Sequence, residues 1–250
     1  MKKFNLWIIA FVVMAWFTAC QVSINANDKD KVSSIRKVKP FDHIVVDASC
    51  DVHYVQGDSL KVEVVGNKIA VNSLITTCEG NTIYISVKRP LNFFGNIGST
   101  TVYITTPDLV DITMKGAGDF EAKGKLDTDT LHVNLIGCGD LDLEDVICDE
   151  ISTIMKGTGD LNIHQLQCNH SEISLLGTGD VDVNEQNVAT SRLILKGTGD
   201  MDVNFNNCGN VDTQLYGVGD ITLKGNIIHL TKSSQGTGDI SISQLNVATK

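Results

Sequence analysis

The sequence predicts an all-β protein built as a β-solenoid of about 20-residue coils with an N-terminal β cap. Three observations carry that prediction. The tetrad Gly-x-Gly-Asp occurs seven times at nearly constant spacing, apolar and polar residues alternate through each repeat, and no repeat shows a helical i, i+3, i+4 stripe. A propeller is the main competing repeat architecture, but its blades need about 40 residues, so these units would make only half blades.

Taken in chain order, the first element is an export signal. Lys2 and Lys3 precede an apolar run over residues 6–17, too short for a membrane-spanning helix and of the length of a signal-peptide core. The run ends in Phe17-Thr18-Ala19-Cys20, which resembles the lipobox of bacterial lipoproteins. That resemblance implies cleavage after residue 19 and acylation of Cys20, so that the lipid on Cys20 is the membrane anchor. Gln21 stands where an aspartate would point to inner-membrane retention, so the expected location is the outer membrane, facing the periplasm or the cell surface. Residues 20–35 are polar and patternless and read as a flexible tether.

Residues 36–110 form the N-terminal β region or cap. They contain alternating runs such as HIVVD, DVHYVQ, TIYISV and TVYITT, separated in places by turn sequences such as Glu79-Gly80-Asn81. Residues 67–75 suit one helical turn or a loop, and residues 89–100, with Phe93 and Phe94, read as an irregular excursion. No linker separates this region from the repeats that follow.

Residues 111–250 form the solenoid. The first glycine of each tetrad is Gly116, Gly137, Gly157, Gly177, Gly197, Gly217 and Gly236. The second is Gly118, Gly139, Gly159, Gly179, Gly199, Gly219 and Gly238, and the aspartate is Asp119, Asp140, Asp160, Asp180, Asp200, Asp220 and Asp239. Both glycines share the parity of inward positions, so a side chain at either is expected to point into the coil where the chain bends. The residue between them and the aspartate are expected to face out. Inward positions after the tetrad are apolar throughout, as in Leu141, Leu161, Val181, Met201 and Ile221.

The stretches VVDASCDVHYVQGD, EGNTIYISVK and TVYITTPDLVDITMKGAGD, followed by the Gly-x-Gly-Asp series, resemble the putative auto-transporter adhesin, head GIN domain family. The likeness runs over residues 38–250. It implies a right-handed β-helix-like protein exported by diderm bacteria, often as a lipoprotein. It implies no activity; adhesion enters only through the family's name.

Thirty acidic against twenty basic residues give a net charge of −10, which excludes a nucleic-acid partner whose phosphates need neutralising. The seven aspartates have two readings of their own. Each carboxylate accepts hydrogen bonds from turn amides or threonine hydroxyls of adjacent coils, or calcium sits between coils as in a β-roll. One carboxylate per coil is sparse for calcium, so the structural reading is preferred and no cofactor or metal is expected. A glycan-cleaving enzyme would need a local carboxylate pair that departs from the repeat; we find no catalytic residue. The six histidines show no ligand spacing. Cys148, Cys168 and Cys208 share one repeat position with Val188 and read as stacked core residues, Cys138 faces out, and Cys50 with Cys78 is the pair best suited to a disulfide. The expected function is that of a lipid-anchored cell-envelope protein presenting a β-solenoid to a protein or glycan ligand for binding, adhesion or scaffolding, with end-to-end self-association at the open last coil.

Overall fold

The computed structural model describes residues 31–88 and 99–248. The signal peptide, Cys20 and the excursion's two phenylalanines lie outside these residues. Strands β1 (Lys31–Ile35), β2 (His43–Asp47), β3 (Asp51–Gln56) and β4 (Lys61–Asn67) are followed by helix α1 (Lys68–Ser73) and by β5 (Leu74–Glu79), β6 (Thr82–Val87) and β7 (Thr100–Thr106). The repeats supply β8 (Asp111–Met114), β9 (Phe120–Asp127), β10 (Thr130–Leu135), β11 (Leu141–Ile147), β12 (Glu150–Met155) and β13 (Leu161–Gln167). They continue with β14 (His170–Leu175), β15 (Val181–Gln186), β16 (Thr190–Leu195), β17 (Met201–Leu215), β18 (Ile221–Ser234) and β19 (Ile240–Val247).

These strands stack in register as two parallel ladders. One runs β6, β2, β8, β10, β12, β14, β16 and then the second halves of β17 and β18. The other runs β7, β3, β9, β11, β13, β15, the first halves of β17 and β18, and β19. The Gly-x-Gly-Asp turns join the ladders on one side, where the residues between the glycines pair coil to coil from Ala117 to Thr237. On the other side the chain turns through residues such as Asn187 and Asn207, both at positive φ (56° and 58°), a conformation asparagine tolerates better than most side chains. Alternation sends Leu141, Leu161, Val181, Met201 and Ile221 inward as one continuous core, each 0–1% exposed.

The N-terminal end is closed by strands of opposite direction. β4 pairs antiparallel with β7, β1 with β4, and β5 with β6. Residues 31–35, read from the sequence as the end of a tether, are therefore a paired strand. Helix α1 occupies the stretch where a helical turn or a loop was expected, and the Asn67 side chain caps it by accepting from the Ala70 amide at 2.8 Å. The parallel stack also begins earlier than the tetrads. Ile44 sits under Ile112 in register and Val52 under Phe120, which places Ala48-Ser49-Cys50-Asp51 on the corner below Gly116-Ala117-Gly118-Asp119. A second early level, β6 with β7, lies beneath it.

The glycines are required for a reason other than the one expected. A Cβ on Gly177 would lie 2.1 Å from the Gly157 carbonyl oxygen, and one on Gly157 would lie 1.9 Å from that of Gly137. The added atom points along the stack at the preceding coil, not into the coil's interior, so the constraint is the close approach of one turn to the next. Gly159 and its equivalents have positive φ as well, 147° in that residue.

The cysteine pair best suited to a disulfide is not bonded. Cys50 and Cys78 are free. Cys50 is buried at the corner of the early coil, whereas Cys78 lies on antiparallel β5, its Sγ directed at the Lys39 carbonyl 3.9 Å away. Burial, with the Asp51 charge beside it, pushes the Cys50 thiol up to about 12, which makes it a poor nucleophile.

Two glycines separate the stacking constraint from the backbone constraint. Gly177→Ala is expected to cost several kcal/mol, on the order of a severe core defect, because the clash is with backbone that cannot yield. Gly80 has a φ of 58° and open space around its Cβ position, so Gly80→Ala is expected to cost about 1–2 kcal/mol. Denaturant melts of both variants measure the difference.

Candidate functional site

The aspartate column is the first candidate, and its geometry is explained by the amides of the turn. Around Gly157 the Lys156 and Gly157 N–H groups donate to the Leu135 carbonyl at 2.7 and 3.1 Å, Thr158 to Gly137, Gly159 to Thr178 and Leu161 to Asp180. Only the Asp160 N–H has no backbone acceptor. It donates to Oδ1 of Asp140, one coil earlier, at 2.9 Å. The same bond recurs from Asp140 to Asp119 and from Asp180, Asp200, Asp220 and Asp239 to their predecessors, at 2.8–2.9 Å. At the start of the column Asp119 N–H reaches Asp51 at 3.3 Å.

Magnitudes decide whether such a column stands alone. Adjacent carboxylates ~5 Å apart in water repel by about 0.8 kcal/mol. A hydrogen bond to a charged group contributes about 1.5–3 kcal/mol, and discounted for the exposure of these side chains it still offsets that repulsion. Oδ1 of each carboxylate from Asp119 to Asp220 is thus engaged within the stack.

The remaining predicted residues are distributed, not gathered. His164 pairs with Asp142 at 2.9 Å, His53 with Glu121 at 2.5 Å, and His170 Nδ1 lies 2.6 Å from Thr190 Oγ1. Among the described residues no group of three His, Cys, Asp or Glu side chains is placed to hold a metal ion. Cys148, Cys168 and Cys208 are buried with Val188, and Cys138 is exposed.

One core residue went unnoticed in the sequence. Glu185 is 1% exposed, in the column that holds Leu166 below it and Phe205 above. Ser191 Oγ donates to its Oε1 at 3.0 Å, while Oε2 and the buried Ser171 Oγ have no hydrogen-bond partner. Burial, partly offset by the nearby dipoles of the Ser171 and Ser191 hydroxyls, of which only Ser191 makes a full hydrogen bond, pushes the carboxyl up to about 7. The signal was available: Glu185 follows Val181 and Val183 at inward parity.

A concave feature lies outside the same region. Between two outward rows on β12, β14, β16, β17 and β18 runs a groove of about 310 Å³, with Ser171 and Ser191 on its floor. One row carries His170, Thr190 and Asn210 in register, the other Glu172, Arg192 and Asp212.

Two outcomes follow from these sites. Asp180→Asn keeps an acceptor for the Asp200 amide and removes repulsion, so its melting temperature should match wild type or slightly exceed it at low salt. Asp180→Ala strands the amide and should cost about 1–3 kcal/mol. For Glu185 the folded carboxyl, at about 7, stands above its ordinary value of 4.5, so folding takes up a proton between those limits. Its contribution is fully favourable below pH 4.5, where both states are protonated, and stability falls as pH rises to 7, by about 3 kcal/mol in all. Melts of wild type and Glu185→Gln from pH 4.5 to 8 should diverge through that window, the variant lacking this fall.

Solved structures share this fold. A putative adhesin from Bacteroides fragilis NCTC 9343 superposes with a TM-score of 0.74 at 25% identity, covering 85% of this chain and 97% of that one. A putative lipid binding protein from Parabacteroides distasonis ATCC 8503 gives 0.62 at 19% identity over 88% and 97% of the two chains. A putative adhesin from Parabacteroides merdae ATCC 43184 gives 0.61 at 15% identity over 85% and 96%. Among curated proteins none matches the sequence. The family model for the putative auto-transporter adhesin, head GIN domain, matches residues 40–207 and 169–249. With its tetrads stacked as a β-solenoid and that model covering most of its length, the chain belongs to the putative auto-transporter adhesin, head GIN domain family.

Proposed function

We propose that this protein is a lipid-anchored component of the bacterial outer membrane that binds an external ligand along the side of its solenoid, without catalysis. The observation that carries the reading is the fate of the tetrad carboxylates: each from Asp119 to Asp220 accepts the turn amide of the next coil. The chemistry that repeats in every coil thereby serves the architecture, and binding falls to the outward rows, whose residues differ from coil to coil. Membership of an adhesin-named family supports this, as does the Phe17-Thr18-Ala19-Cys20 sequence, which supplies an acylation site ahead of the folded chain. A long rigid body held by a lipid presents a succession of differing rungs to one extended partner.

Two measurements test the parts of this reading separately. Cys20→Ala should abolish lipid labelling and move the protein out of the membrane fraction; a variant that labels and partitions like wild type overturns the anchor. Protease treatment of intact cells should remove the wild-type protein. Full protection with an intact outer membrane, and cleavage only after permeabilisation, would refute an external ligand.

A further inference from the structure

We propose that the groove over β12 to β18 is a binding site for a linear, neutral, hydroxyl-rich glycan lying parallel to the solenoid axis. The inference rests on the reading of the protein as a binder and names the ligand class and the place.

The walls are set by strand register. His170, Thr190, Asn210 and His229 stack one above another, because residues paired between parallel strands occupy the same place in successive coils. Strands lie 4.7–4.9 Å apart, so these four rungs extend over ~14 Å. Glu172, Arg192 and Asp212 form the facing wall, with Arg192 Nε 4.0 Å from Asp212. The ~310 Å³ space between the walls is elongated along the stack.

Elsewhere three pairs of asparagines close on each other along the stack. Asn184 and Asn204 bond across coils at 3.2 Å, Asn187 and Asn207 at 2.8 Å, and Asn226 and Asn246 at 3.4 Å. Identical residues one coil apart satisfy each other. In the groove unlike residues follow one another, and the side chains of Glu172, Asn210 and His229 make no hydrogen bond or ion pair among the described residues. His170 and Thr190 are already oriented by their 2.6 Å contact.

The chemistry of these groups selects the ligand. Hydroxyls both donate and accept, so a chain of them can use a carboxylate, an amide, an imidazole and a guanidinium on successive rungs. A peptide binding by its backbone would need a free strand edge. Along most of the groove no edge is free: β14 pairs with β12 and β16, and β16 with β14 and β17, and among the described residues only the second half of β18, at the last rung, is paired on one side alone. Anionic polymers are disfavoured, since Glu150, Glu172 and Asp212 outnumber Arg192 along the groove. A lipid chain laid here would have to desolvate the charged heads of Glu172, Arg192 and Asp212.

The test uses the full chain purified in detergent and three immobilised neutral probes: cellohexaose, mannohexaose and chitohexaose. Polygalacturonate and an immobilised mixed decapeptide library serve as comparisons. Retention on at least one neutral probe is expected, weakened five-fold or more by Asn210→Ala and by Arg192→Ala. Asp182→Asn, on the other ladder, should leave binding unchanged, and all three variants should melt within about 2 °C of wild type. Retention on no neutral probe, retention only on polygalacturonate or peptides, or binding indifferent to both groove variants would each overturn the proposal. A groove variant that fails to fold is replaced by Asn210→Asp or Arg192→Lys, judged by the same five-fold criterion. None of these outcomes bears on the cell-surface measurement, which stands or falls by itself.

Discussion

A single backbone amide in each coil organises this molecule. In the five tetrads from Gly137 to Gly217 every N–H finds a carbonyl on a neighbouring coil except that of the aspartate. A buried or half-buried amide left without a partner is costly, and here the remedy comes from the same residue type one coil earlier. Aspartate has a side chain short enough to place an oxygen beside the next turn, and that oxygen lies 2.8–2.9 Å from the amide in each regular coil. The glycines are the other half of the bargain, because turns held this close leave no room for a Cβ. Tetrad and stacking distance are one constraint seen from two sides.

What varies is then free to serve other ends. The interior accepts Leu, Val, Met or Phe at equivalent places, but at Glu185 it holds a carboxyl whose second oxygen has no partner. Replacing it by a leucine would suit the column, with Leu166 and Phe205 as neighbours. Its presence makes stability depend on pH near neutrality. Ser171 and Ser191, whose hydroxyls face this carboxyl, also line the groove from the other side of the sheet, so the buried carboxyl and the proposed ligand site share two residues.

Much of the fold was legible in the sequence because a repeat states its own register. Seven tetrads and the alternation after them suffice for a solenoid, and the outward direction of the aspartates followed from parity. The early coil was hidden by Ala48 and Cys50, which stand where later coils carry glycine, although Asp51 keeps its place in the column. The strand at residues 31–35 was missed because a five-residue edge strand of polar composition has no periodic signal of its own; its partner β4 supplies the order. The groove was illegible for a further reason. Its walls join residues about 20 apart in rows, and their concavity depends on how far each side chain projects, which alternation does not encode.

Ala48 and Cys50 have a meaning beyond concealment. Each carries a Cβ in a position where, higher up, that atom would strike the turn beneath. The level below, β6 with β7, carries no tetrad in its sequence. No tetrad coil can therefore be slipped in under this one. Above it each turn repeats its neighbour, so a duplicated coil inserted there would meet the same glycine below and offer the same carboxylate above. The stack is a ratchet in evolutionary time: fixed at its base and extensible in steps of one coil, with length changing while the fold does not.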